Sequence, residues 1–245
     1  MRHILIILLG LFLIKSCVDD ANAAELPITA KAWLVADDRG KVIEGFNTTE
    51  VRSIASITKL LTVMTVLDAN QSPDEVIYRT YTRQQMMNMA LVKSDNNAAT
   101  ILCQQYPEGY YECLHQMNRK AQELEMLDTR IYDATGLNRD NVSTAADLLK
   151  LVQAAKTYPA VVAASQLDQI RIPANRNKWT VLRNTNPLVG HGYDFIISKT
   201  GFINQSGGCI VMMVNTINGI RTVVLLGSRN THTRIPEAAL ISARY

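Results

Sequence analysis

Apolar residues along this chain change their spacing twice. Residues 31–38 and 41–46 read as the two arms of a β-hairpin turning at Arg39-Gly40. From Ile57 onward, Leu60, Leu61, Met64 and Leu67 follow the helical repeat, while Ile54, Val63 and Val66 fill the remaining faces. A helix apolar nearly all round belongs in the middle of a domain. Helical spacing resumes at 83–92, 97–105 and 109–124, then at 144–156 behind the cap signal Asn141-Val142-Ser143-Thr144. The last third turns to strands at 169–173, 178–183, 195–199, 209–216 and 219–226, interrupted by Gln205-Ser206-Gly207-Gly208 and Asn218-Gly219, with a short helix at 235–245. Strands at both ends with helices between predict an α+β fold. One antiparallel sheet is fed by the N- and C-terminal segments and flanked by helices, and a mainly helical lobe completes it.

Composition narrows the class. With 245 residues, 47% apolar and 19% charged, the chain has an ordinary globular balance that excludes disorder. A net charge of +3 without a Lys or Arg run excludes a nucleic-acid stripe. The start is distinctive: Met1-Arg2-His3, an apolar block from Ile4 to Ile14, polar residues, then Ala21-Asn22-Ala23-Ala24. That is the grammar of a secretory signal, and the block is short of the about 20 residues a membrane span needs. We therefore expect residues 1–23 to be a signal peptide, export by the Sec route to the periplasm, and 24–245 to be one domain with no transmembrane anchor. Cys17 as a lipidation site is the rival reading, which Lys15 and Ser16 fit poorly. Cleavage removes Arg2, Lys15, Asp19 and Asp20, two of each sign, so the charge stays at +3.

Export permits disulfides. Cys103 and Cys113 flank Tyr106-Pro107-Glu108-Gly109, which reads as the turn of a helical hairpin. A bridge and a pair of reduced thiols both fit that spacing, while Cys209, in a strand-like run, reads as core.

The candidate chemistry begins with Lys59, the single charge in residues 53–67. A buried ammonium costs several kcal/mol unless it is paired or loses its proton. Ser56-Ile57-Thr58-Lys59 places a hydroxyl and an amine at i and i+3, about 5 to 6 Å apart on one helix face. Serine is a weak nucleophile until a base takes its proton, and lysine serves as that base only when burial lowers its pKa. Alone, the pattern favours the bland reading, an exposed lysine at a helix start. Ser94-Asp95-Asn96 and Lys199-Thr200-Gly201 also have bland readings, a helix N-cap and a strand running into a turn. In this order, the three together are hard to assign to chance.

This motif set is shared by class A β-lactamases and penicillin-binding proteins. Residues 54–60, Tyr106-Pro107-Glu108-Gly109-Tyr110, Thr135-Gly136-Leu137, Asn141-Val142-Ser143-Thr144-Ala145, Arg183-Asn184-Thr185-Asn186 and Lys199-Thr200-Gly201-Phe202 resemble the D-alanyl-D-alanine endopeptidases of the penicillin-binding protein seven type. The resemblance implies the β-lactamase/DD-peptidase-like fold and a serine peptidase acting on peptidoglycan peptides, acylated by β-lactam antibiotics. Ser56 would be the nucleophile and Lys59 its base. Ser94 and Asn96 would extend the proton relay, with Asn96 orienting substrate or Lys59. Lys199, Thr200 and Gly201 would bind substrate, and the backbone N–H groups of Ser56 and Phe202 would form the oxyanion hole.

The resemblance also shows departures. The region from Asn70 to Arg83 is shorter than in those relatives, which bears on substrate selectivity. No glutamate with an asparagine four residues on offers a lactamase-type deacylation base, since Asp133 and Asn138 are five apart. A carboxypeptidase is the nearest rival activity, and an idle penicillin sensor the non-enzymatic one. Arg234 reads as a surface charge, with the place of a carboxylate-binding arginine as the alternative. His115 reads as surface or packed, His191 and His232 as loop residues, and Trp33 and Trp179 as strand core, with one of them lining a cleft as the alternative. No His or Cys cluster has metal spacing, so neither metal nor cofactor is expected.

Overall fold

The computed structural model describes residues 28–174 and 178–245. The expected signal peptide at 1–23 lies outside the described residues.

The hairpin arms form β1 (Ala32–Ala36) and β2 (Val42–Phe46). A two-residue strand, β3 (Arg52–Ser53), leads into a 3-10 turn, Ala55–Ile57, and then α1 (Thr58–Asp68). A small hairpin of β4 (Val76–Tyr78) and β5 (Tyr81–Thr82) precedes α2 (Arg83–Asn88), which Thr82 and Gln85 start with a reciprocal capping box. The helical middle continues with α3 (Asn96–Gln104) and α4 (Tyr110–Glu123). After β6 (Val142–Ser143), which pairs with β3, come α5 (Ala145–Ala155) and α6 (Pro159–Gln166). Helix α6, unanticipated in the sequence, starts on Pro159, where a missing N–H costs nothing. A hairpin of β7 (Gln169–Pro173) and β8 (Trp179–Arg183) precedes the long strands β9 (Asp194–Ile203), β10 (Gly207–Thr216) and β11 (Gly219–Ser228), and α7 (Arg234–Arg244) ends the chain.

The main sheet runs β2-β1-β11-β10-β9, all antiparallel, so both ends of the chain feed it as expected. Its two faces explain the near-continuous apolar runs of the sequence. Leu34, Cys209, Val211, Met213, Val224 and Leu226 face one core, shared with α1 and α5, whereas Val35, Ile210, Met212, Val223 and Leu225 face a second core beneath α7. Period-two alternation thus survives, with both faces buried. Helix α1 lies in the first core, and every side chain from Thr58 to Val66 is buried.

Two expectations about packing are corrected. Trp179 is 58% exposed, because it sits on the outward face of the β7–β8 hairpin whose inward face is Ile170 and Ile172. Arg234 is 7% exposed rather than a surface charge. It opens α7 against the end of β9, beside Gly208, whose missing side chain leaves room for it. Trp33 is partly buried against the second core. Cys103 and Cys113 are disulfide-bonded with Cα atoms 5.3 Å apart, joining α3 to α4, and Cys209 is a buried free thiol.

Candidate active site

Ser56 occupies the middle of the 3-10 turn that runs straight into α1, half-buried and open to one side. The turn is tightly supported. Ala55 adopts φ 45°, and the Thr58 hydroxyl donates to the Ala55 carbonyl at 2.8 Å. Asn141 then bonds the Thr58 hydroxyl through Nδ2 at 3.1 Å and takes the Ile54 N–H on its own carbonyl at 3.0 Å. Gly136 presses against this turn from below. A Cβ there would lie 1.9 Å from the Ala55 carbonyl oxygen, and its φ of +80° disfavours a side chain in any case.

One turn of helix later, Lys59 is fully buried, and its Nζ donates three hydrogen bonds: to Ser56 Oγ at 2.8 Å, Asn96 Oδ1 at 2.8 Å and the Thr135 carbonyl at 2.6 Å. The i, i+3 spacing read in the sequence therefore brings amine and hydroxyl into contact. Burial draws the Lys59 pKa down to about 8, against the opposing pull of Asp133 and Asp95.

The second motif is placed by an irregularity. Helix α2 passes into a π turn at Met89–Lys93, so the helix expected over 83–92 is not uniform. The widened turn ends on Ser94 in a left-handed conformation, φ 61°. Such π segments recur where a functional side chain must be re-aimed. Asp95 then caps α3 by accepting the Ala98 N–H at 2.8 Å, leaving Ser94 and Asn96 on either side of it to face the two lysines.

The third motif lies on β9, an edge of the main sheet. Lys199, 1% exposed, donates from Nζ to Ser94 Oγ at 2.8 Å and to the Thr200 carbonyl at 2.9 Å. Its pKa falls well below the ordinary lysine range, through burial first and then the positive charges of Lys59 and Arg234. The Thr200 hydroxyl donates to Thr185 Oγ1 at 2.7 Å. Gly201 permits close approach of β9 to the nucleophile turn: a Cβ there would meet the Ile54 carbonyl at 2.9 Å and the Ser56 nitrogen at 3.0 Å. Phe202 follows, its side chain 40% exposed. Behind the strand, Arg234 donates from Nη1 to the Gly201 carbonyl.

Contacts thus link Ser56, Lys59 and Asn96, and separately Ser94, Lys199 and Thr200, with Gly201 against the Ser56 turn and Phe202 next along β9. Three supporting roles were not read in the sequence. The Thr135 carbonyl is a backbone atom that no side-chain pattern marks. Thr185, within Arg183-Asn184-Thr185-Asn186, had no assigned role. Asp133 is the hub of the supporting loop, accepting from the N–H groups of Thr135, Gly136 and Asn138, from the Thr135 hydroxyl and from Asn141 Nδ2. With both oxygens committed, Asp133 is no candidate for activating water. His115 and His232 are exposed and, among the described residues, make no hydrogen bond to this constellation, and His191 bonds a nearby carbonyl in its own loop.

The electrostatic character is unusual. Among the described residues, Lys59, Lys199 and Arg234 have no carboxylate within ion-pair distance. The charges of Lys59 and Arg234 oppose protonation of Lys199, and the cluster creates a field suited to an anionic ligand. No group of His, Cys, Asp and Glu among the described residues has metal-binding geometry.

Comparison with known proteins agrees with this geometry. A family model described as D-alanyl-D-alanine carboxypeptidase matches residues 19–77 and 74–230. The chain is 33% identical to a D-alanyl-D-alanine endopeptidase of Pseudomonas aeruginosa, over 97% of this chain and 87% of that protein. It is 34% identical to the D-alanyl-D-alanine endopeptidase of Escherichia coli, over 89% of this chain and 77% of the relative. In structure it resembles a penicillin-binding protein of Listeria monocytogenes in a cefotaxime-bound form, with TM-score 0.80 and 24% identity over 89% of this chain and 98% of the other. Motif order, fold and overall similarity converge on one conclusion: this chain belongs to the D-alanyl-D-alanine carboxypeptidase family of serine peptidases.

Proposed function

We propose that this protein is an exported serine D-alanyl-D-alanine endopeptidase that opens peptide cross-links of peptidoglycan through an acyl-enzyme. The observation that carries the reading is Lys59 Nζ, buried and 2.8 Å from Ser56 Oγ, with its proton loosened. At pH 7 a lysine of pKa about 8 is neutral in roughly one molecule in ten, against fewer than about one in a thousand for an ordinary lysine.

In this mechanism the neutral Lys59 amine takes the Ser56 hydroxyl proton as Oγ attacks the D-alanyl carbonyl carbon. Asn96 and the Thr135 carbonyl hold the amine in line and stabilise the ammonium that forms. The oxyanion develops against the backbone N–H groups of Ser56 and Phe202; losing such a donor typically costs about 2.7 to 4 kcal/mol. As the C–N bond breaks, Ser94, held by the Lys199 ammonium, gives its proton to the leaving amine and is reprotonated by the proton that Lys59 took from Ser56. One proton taken by Lys59 is matched by one delivered, so acylation leaves the net charge of the site unchanged. Thr200 and the positive field of Lys199 receive the substrate carboxylate, and Gly201 lets substrate backbone lie along the β9 edge. The same attack on a strained lactam ring makes β-lactams acylating inhibitors.

The endopeptidase assignment is supported by the two relatives above 30% identity that share most of the chain. Carboxypeptidase action is the second reading, since a Bacillus subtilis D-alanyl-D-alanine carboxypeptidase is 24% identical over 88% of this chain. Periplasmic location and removal of residues 1–23 belong to the proposal. They accord with the leader-like start of the chain and with a described structure in which no helix is long and apolar enough to cross a membrane. The test is incubation with purified cross-linked muropeptide dimers and mass analysis of products. Dimers converted to monomers support the endopeptidase; loss of terminal alanine alone transfers the assignment to the carboxypeptidase.

A further inference from the structure

Two hairpins, β4–β5 and β7–β8, stand beside the Ser94-Asp95-Asn96 segment and are tied together by Tyr81, whose hydroxyl donates to the Pro173 carbonyl at 2.8 Å. Each carries an exposed arginine over an exposed aromatic ring. Arg79 lies 5.3 Å from the Tyr78 ring centroid and Arg171 lies 5.9 Å from that of Trp179. The β7–β8 register puts Gln169 opposite Arg183, Arg171 opposite Val181 and Pro173 opposite Trp179, so one face presents two guanidinium groups, an indole and a valine. The other face is apolar, with Ile170 and Ile172 in the core. The outward face thus has no packing duty, yet it spends a 58% exposed tryptophan and a 48% exposed valine on solvent.

Its charge is one-sided. Among the described residues, none of Arg79, Arg171 and Arg183 pairs with a carboxylate. Of the nearby acids, Glu75 pairs with Arg83, Asp95 caps α3, and the Asp168 side chain lies against Gly190. Both hairpins adjoin the segments that carry the catalytic groups. Tyr78, Arg79 and Tyr81 share a cavity of about 220 Å³ with Asp95 and Asn97. On the other side, β8 runs through Arg183 and Asn184 into Thr185, which accepts the Thr200 hydroxyl and donates its N–H to the Val92 carbonyl.

We propose that this wall is a binding surface for a carboxylate-bearing peptide arm of the cross-linked substrate, with Arg171 and Arg183 taking a side-group carboxylate and Trp179 packing against the aliphatic part of the arm. The proposal rests on the peptidoglycan-peptidase reading and adds a selectivity to it: free-acid cross-links are preferred over amidated ones. Arginine suits this role because its fork receives a carboxylate bidentately and its plane stacks on an aromatic ring.

The test compares kcat/KM on two muropeptide dimers that differ only in whether the side-group carboxylate outside the scissile bond is free or amidated. The wild type is expected to favour the free acid about fivefold, the scale of two solvent-edge charge contacts, and that ratio falls toward one on the order of 0.5 M salt. In Arg171→Gln/Arg183→Gln the ratio falls to about one through KM on the free-acid dimer, and Trp179→Ala raises KM on both dimers. The control Arg39→Gln/Lys41→Gln, at the distant β1–β2 turn, keeps the ratio. Thermal melts establish that each variant folds. A wild type that cleaves both dimers equally, or a double variant that keeps the fivefold ratio, overturns the proposal while leaving the peptidase reading intact. A wild type that cleaves neither dimer overturns the peptidase reading and this one with it.

Discussion

Replacing Lys59 by methionine separates what this residue costs the fold from what it does for chemistry. Methionine matches the length of the lysine stem and removes the charge in a site that is fully buried. The lysine pKa falls from 10.5 in an unfolded chain to about 8 in the fold, a difference of about 2.5 pH units or about 3 kcal/mol. Below pH 8 both states carry the proton, so the folded state bears the whole penalty. Between about 8 and 10.5 the unfolded chain holds a proton that the folded chain has released, so wild-type stability rises with pH across that window. Lys59→Met has no such group and lacks the rise. The wild type should therefore gain about 2 to 3 kcal/mol on the variant between pH 7 and pH 10, whatever the absolute effect of losing three hydrogen bonds. Coupling to Lys199 acts in the same direction, because removing the Lys59 charge lets the Lys199 proton stay on to higher pH. The assay is urea denaturation of both proteins at pH 7, 8, 9 and 10, comparing extrapolated unfolding free energies. A stability difference that stays flat across this range would refute the claim that burial lowers the Lys59 pKa.

Further outcomes follow from the same geometry. Lys59→Arg keeps the charge but not the ability to release a proton, so penicillin acylation should be lost by a factor of about a thousand or more. In the wild type the acylation rate should climb about tenfold per pH unit and level off near pH 8; a profile flat from pH 6 to 9 contradicts a lysine base. Gly136→Ala forces a Cβ to within 1.9 Å of the Ala55 carbonyl, so calorimetry should show destabilisation of at least about 3 kcal/mol and labelling should show a disordered nucleophile turn. Reducing the Cys103–Cys113 bridge, or replacing both cysteines by alanine, reopens a loop of sequence separation 10 and should cost roughly 2–3 kcal/mol by denaturant titration. Unchanged stability there would mean that the α3–α4 packing alone holds the hairpin.

Much of this molecule was legible before any coordinates, for identifiable reasons. Helix α1 declared itself because it is buried on every side, and the main sheet because β1, β2, β9, β10 and β11 keep strand composition even where both faces are covered. The catalytic constellation was legible because its side chains lie in three short segments whose order carries the information. What stayed hidden depends on backbone geometry or long-range packing. The π turn before Ser94 leaves no compositional mark, since Met89-Ala90-Leu91-Val92 continues an ordinary helical pattern. The Thr135 carbonyl that holds Lys59 is a group every residue possesses. Arg234 looked like a surface charge because arginine mostly is one, and only the docking of α7 behind β9 buries it against the Gly201 carbonyl. Trp179 looked like core because it alternates within a strand, yet its hairpin has only one inward face.

The account stands on Ser56 as the nucleophile that Lys59 activates. The measurement closest to that claim is intact-protein mass spectrometry after brief exposure to a penicillin, with peptide mapping of the adduct, on wild type and Ser56→Ala side by side. The account predicts one penicilloyl adduct, located on Ser56 and absent from Ser56→Ala. An adduct of the same mass persisting in Ser56→Ala, or mapping to another residue in the wild type, would contradict it.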